Sequence, residues 1–162
     1  MSYYINLQYD ILNFQAKYLQ NLKKIWDFLI DLKNIPKIYP GIIENIEYKG
    51  AKNEIGSFIK LYSCDLKKVL FYRITKFLTP IKAKSYKWQI EAVGTDLTDV
   101  PVYIEMQVSL IEQNKTYFSL LFNFKNKSDE GKINKLEVNL KNLINKIKEY
   151  INENEKEFNS DL

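Results

Sequence analysis

The sequence predicts an α+β domain: a seven-strand antiparallel sheet, a long C-terminal helix lying across it, and two short helices between the first and second strands. Three observations carry this. Between Ile42 and Lys125, apolar and polar residues alternate in short runs separated by turn-length segments, the pattern of a meander with one dry and one wet face. From Gly131 the apolar spacing changes to threes and fours, the period of a helix that buries one stripe. Near the start, IWDFLIDLKNIPKIYPGI begins as an amphipathic helix and stops on Pro36, Pro40 and Gly41 while large apolar residues are still arriving.

The elements follow in order. Residues 3 to 11 alternate, Tyr3, Ile5, Leu7, Tyr9 and Ile11 against Asn6, Gln8 and Asp10, which predicts a half-buried strand. The parity then passes to Phe14, Ala16 and Tyr18, so a bulge is expected near Leu12 and Asn13. Asn21 is the expected N-cap of a helix carrying Ile25, Phe28, Leu29 and Leu32. Pro36 stops it, Lys33 to Tyr39 form a second helical turn, and Pro40 with Gly41 ends that turn. Strands are expected over Ile42 to Lys49, Ser57 to Ser63, Lys68 to Leu78, Ala83 to Val93, Val100 to Ile111 and Lys115 to Lys125. The connections between them have hairpin length and do not suit crossovers. The final helix, Gly131 to Glu153, aligns Ile133, Leu136, Leu140, Leu143, Ile144, Ile147, Tyr150 and Ile151. At roughly 1.5 Å per residue it runs about 33 Å, longer than any strand. The polar tail after residue 153 is expected to fray, and residues 1–162 form a single domain.

Composition removes several kinds of chemistry. With no histidine, triads built on histidine, neutral-pH imidazole bases and imidazole metal sites are all excluded. Cys64 is the only cysteine, so the chain has no internal disulfide and no thiolate cluster, and a reducing, cytoplasmic setting is expected. A thiol in YSCDLKK reads as structural, not nucleophilic. MSYYINLQYD lacks the charged and apolar regions of a secretory signal, and no apolar run approaches the roughly 18 residues of a membrane span. Transient contact with a membrane surface is left open. The 24 basic and 20 acidic residues are interleaved, and Arg73 is the only arginine, so sequence-specific nucleic-acid binding is not expected. No metal, cofactor or catalytic residue is assigned, and oligomeric state is not legible.

The order of elements resembles that of the START-like, or SRPBCC, superfamily, whose helix-grip fold curls a sheet around a long helix. IWDFLIDLKNIPKIYPGI looks like its helix pair. YKGAKNEIGSFIKLY is similar to its turn between strands two and three, with Gly56 and Ser57 opening the next strand, and YRITKFLTPIKAKSYKW resembles the hairpin that follows, with Thr79 and Pro80 at the turn. The resemblance spans the whole chain and is nearest to the polyketide cyclase and coenzyme Q-binding branch. EQNKTYF lacks the glycines many relatives carry before the last strand, and GAKNEIG is too poor in glycine for the phosphate-like loop of the plant allergens. The heme- and iron-binding branches use histidine or cysteine ligands.

What the resemblance implies is a cavity between sheet and helix, capped by the two short helices, that holds a hydrophobic small molecule such as a lipid or isoprenoid. The expected lining is Phe28 and Ile38 from the short helices; Phe71 and Arg73, then Tyr86, Trp88 and Ile90, from the middle strands; Ile104, Met106, Phe118, Leu120 and Phe122 from the last two; and Leu140, Ile144 and Ile147 from the long helix. Arg73 lies inward only if it shares the parity of Val69, Phe71 and Phe77; Leu70, Tyr72 and Ile74 are equally apolar on the other parity. Tyr86 and Tyr103 are candidate pocket hydroxyls, and Trp26 reads as packing under the first helix. Two alternatives stand beside the carrier: a protein-interaction module whose large side chains fill the interior, and a cyclase or hydrolase that orients a bound hydrophobic substrate.

Overall fold

A computed structural model describes residues 3–15, 19–40, 43–51, 54–63, 69–78, 85–94, 100–110, 115–124 and 130–159. Cys64, the Thr79 and Pro80 turn and the turn within EQNKTYF lie outside them. The chain runs β1 (Tyr3–Gln15), α1 (Leu19–Ile30), α2 (Asn34–Ile38), β2 (Ile43–Lys49), β3 (Phe58–Ser63), β4 (Val69–Leu78), β5 (Ser85–Ala92), β6 (Pro101–Leu110), β7 (Lys115–Phe124), α3 (Glu130–Glu153) and α4 (Glu155–Asn159). The strands form one seven-stranded sheet in the order β1-β7-β6-β5-β4-β3-β2, and every neighbouring pair is antiparallel. The first strand pairs with the last, so β1 and β2 are opposite edges, and α1 and α2 carry the chain from one edge to the other.

Alternation along the strands becomes rows across the sheet. Ile90 faces Ile104 and Ile104 faces Phe122; Trp88, Met106 and Leu120 form the next row; Tyr86, Val108 and Phe118 the third. All nine are buried. The opposite face is polar. There Glu105 accepts hydrogen bonds from the Tyr103 hydroxyl at 2.7 Å and Gln89 Nε2 at 3.0 Å, and pairs with Lys87 at 3.0 Å. Burial alone would raise the Glu105 carboxyl; these donors, Tyr103 foremost, hold it below the usual carboxylate value. The Tyr103 phenol is pushed up by burial and by Glu105. It sits on this outer face and not in the interior.

Two expected features move. Asn21 lies inside α1 and does not cap it. Leu22 is fully buried in line with Ile25, Trp26 and Leu29, so the stripe starts before Ile25 and the helix must begin earlier. The tail does not fray throughout: Glu155–Asn159 form α4, and Phe158 is buried between Phe28 and Tyr150, whose rings lie 5.6 and 6.4 Å away. One aromatic side chain in a polar segment is enough to dock it. The irregularity expected near Leu12 and Asn13 is present, because the β1–β7 register shifts between Asp10 and Gln15.

Candidate functional site: an apolar cavity under the long helix

The position of α3 decides the interior. It packs along β1 at the sheet edge and against α2, while α1 packs on β6. The middle of the sheet is therefore left without a close helical neighbour over part of its length. The gap is a cavity of about 320 Å³. Its floor is the dry face: Leu61 of β3, Leu70 and Tyr72 of β4, and Trp88, Ile90, Ile104, Met106, Phe118, Leu120, Phe122 and Phe124 of β5 to β7. Ile133, Leu136, Leu140, Leu143 and Ile147 of α3 form the facing wall.

The cap is the broken helix pair. Phe28, Leu29, Leu32, Ile35 and Ile38 reach the cavity from α1, the junction and α2. Ending a helix over an apolar space leaves backbone groups without partners, and side chains supply them. The Tyr48 hydroxyl of β2 accepts from the Leu32 N–H at 3.1 Å and donates to the Ile30 carbonyl at 3.3 Å. Asn34 Nδ2 donates to the Phe28 carbonyl at 2.9 Å, and the Asn34 N–H to the Asp31 carbonyl at 2.9 Å. Pro36 sits in the first turn of α2, where a missing N–H costs nothing. The prolines and apolar residues of this stretch thus build a lid fixed to β2.

Polar groups at the wall are few. The Tyr72 hydroxyl donates to the Pro101 carbonyl at 2.8 Å, and burial pushes its phenol up. Asn34 is held as described, Trp88 contributes an indole, and Lys135 brings the charge. Among the described residues no group of three or more histidine, cysteine, aspartate or glutamate side chains gathers to hold a metal ion.

Phe28, Ile38, Trp88, Ile90, Ile104, Met106, Phe118, Leu120, Phe122, Leu140 and Ile147 all stand at this cavity. Phe71, Arg73, Tyr86 and Ile144 do not. Phe71 is 44% exposed and Arg73 is exposed on the outer face, while Leu70, Tyr72 and Ile74 point inward. A register shift between Ile74 and Lys76 puts Phe77 opposite Trp88 on the inner side, so Phe77 and Phe71 share a parity in sequence and not a face. Tyr86 is buried under α1, its ring stacked on Trp26 at 5.6 Å; Trp26 is a packing residue, also 6.4 Å from Phe77. Ile144 is fully buried and does not border the space. Sequence reasoning missed Tyr72, Asn34 and Lys135. Tyr72 lies on one of two equally apolar parities of its strand, and nothing local marks the other two.

Compared with solved structures, the chain overlays Ara h 8.0201 with a TM-score of 0.58 at 14% identity, covering 93% of this chain and 98% of that one. The chain has the helix-grip fold. Major latex-like protein 151 from Panax ginseng shares this helix-grip architecture with a TM-score of 0.51 at 15% identity over 89% of this chain and 95% of that one. A point mutant of norcoclaurine synthase from Thalictrum, in complex with a transition-state analogue, overlays more loosely at 0.49 and 13% identity, covering 91% and 93% of the two chains. At these identities the likeness is one of fold. No family model and no curated protein matches the sequence. No helix among the described residues is long and apolar enough to cross a membrane.

The interior is not filled. The alternative of an interior filled by large side chains such as Trp88, Phe118, Phe122 and Phe124 does not match the space those side chains border. The reason is α3's stand at the sheet edge, which no single side chain reveals.

Proposed function

We propose that this protein binds a hydrophobic small molecule in the helix-grip cavity, with α1 and α2 as its lid. The observation that carries this is the cavity itself, about 320 Å³ walled by aliphatic and aromatic side chains, within the range of small-molecule sites. Burying roughly 300 Å² of apolar ligand surface is worth about 7 kcal/mol before association costs, so affinity near the micromolar range needs no special chemistry. Binding is favoured over catalysis because the Tyr72 hydroxyl is engaged by a backbone carbonyl and the described residues of the wall gather no acid with a base. A single cysteine supports a reducing, cytoplasmic setting.

The test is native mass spectrometry of protein purified without detergent, followed by denaturing extraction. A stoichiometric hydrophobic molecule in the extract is the expected result. An apo mass that does not shift with fatty acids, isoprenoids or quinones overturns the proposal.

A further inference from the structure

We infer that the ligand is a single-chain amphiphile with an anionic head, held tail-inward with its head at Lys135; this rests on the cavity's being a binding site. A volume of about 320 Å³ lies at the low end for ligand pockets and suits one chain, not a two-chain lipid. The interior asks for little hydrogen bonding. Of its polar side chains, Tyr72 gives its proton to the Pro101 carbonyl and Asn34 Nδ2 donates to the Phe28 carbonyl. A ligand rich in hydroxyls would bury them against Leu, Ile and Phe at a cost of about 1–3 kcal/mol for each one unpaired. An unbranched hydrocarbon tail incurs no such penalty.

Among the described residues of the wall Lys135 is the charged side chain; it is exposed, and so it marks where the cavity meets solvent. Lys23, Lys49, Lys60, Lys87, Lys141 and Lys146 each have a carboxylate within 4.0 Å; among the described residues, none is paired with Lys135. An ammonium on the residue next to Leu136 and two after Ile133, beside an apolar space, suits a carboxylate, sulfate or phosphate head whose tail continues along α3 past Leu140, Leu143 and Ile147.

The experiment compares lauric acid, its methyl ester and lauryl alcohol at neutral pH, by calorimetry below their aggregation limits, on the native protein and on Lys135→Gln and Lys135→Glu. The acid is expected to bind about 1.5- to 5-fold tighter than the ester to the native protein, the span of an exposed ion pair. Lys135→Gln should abolish that preference, and Lys135→Glu should reverse it. Equal binding of acid and ester by the native protein, or a preference that survives Lys135→Gln, overturns the head-group assignment alone. Failure of all three to bind overturns the cavity proposal and this inference with it.

Discussion

Replacing Tyr48 by Phe removes one oxygen and leaves the ring in place. That oxygen closes the α1–α2 junction from both sides, accepting from the Leu32 N–H at 3.1 Å and donating to the Ile30 carbonyl at 3.3 Å. A neutral hydrogen bond contributes about 0.5–1.5 kcal/mol net. The second contact is long and both are part-buried, so the sum lies near 1–2 kcal/mol. For a domain of this length that lowers Tm by about 2–8 °C. The junction positions Phe28, Leu29, Leu32 and Ile35 over the cavity, so a bound ligand should also dissociate severalfold faster. Differential scanning calorimetry gives the first number and stopped-flow displacement of a fluorescent fatty acid the second. A Tm within about 1 °C of the native value, with an unchanged dissociation rate, would refute the claim that Tyr48 holds the lid.

Four further substitutions probe the interior and the wet face. Leu120→Trp places a bulky indole on the cavity floor: in a close-packed core such a change costs about 1–3 kcal/mol, but here urea unfolding should show little loss while ligand affinity falls about tenfold or more. Arg73→Gln and Phe71→Ser, on the wet face, should each change stability by less than about 1 kcal/mol and leave binding untouched in the same calorimetry. Glu105→Gln should cost about 1 kcal/mol at neutral pH. Because the folded carboxyl sits below its ordinary value of 4.5, its contribution is present above that value and is lost as pH falls through the lower folded one. The gap between native protein and variant should therefore close in acid, as urea titrations at stepped pH would show.

Much of the fold was legible because the relevant physics is local. Alternation from Tyr86 to Ala92 or Phe118 to Phe124 specifies a half-buried strand whatever surrounds it, and the stripe from Ile133 to Ile151 specifies a helix with one dry face. Proline and glycine set the breaks: Gly50 and Gly56 take φ of +93° and +91° at the turn joining β2 to β3, a region side-chain-bearing residues avoid. Where both parities were apolar, local signals gave no answer. In β4, Leu70, Tyr72 and Ile74 against Val69 and Phe71 could face either way; pairing across the sheet sets Ile74 inward beside Ile90, and the irregularity at Thr75 brings Phe77 to the same side. Phe158 was unreadable for the opposite reason: its segment is polar, and only a distant pair of rings, Phe28 and Tyr150, gives it a place to dock.

By itself, then, the sequence determined which residues are apolar, how they repeat, where the chain must turn, and which catalytic chemistries lacked their side chains. The tertiary structure alone decided that the apolar faces do not all meet. Packing α3 along β1 and against α2 leaves a space over the middle strands, and whether two apolar surfaces touch or stand apart depends on backbone placement across the whole sheet, which no periodicity within one segment encodes. The same placement brought Tyr48 under the helix break and Lys135 to the cavity's edge.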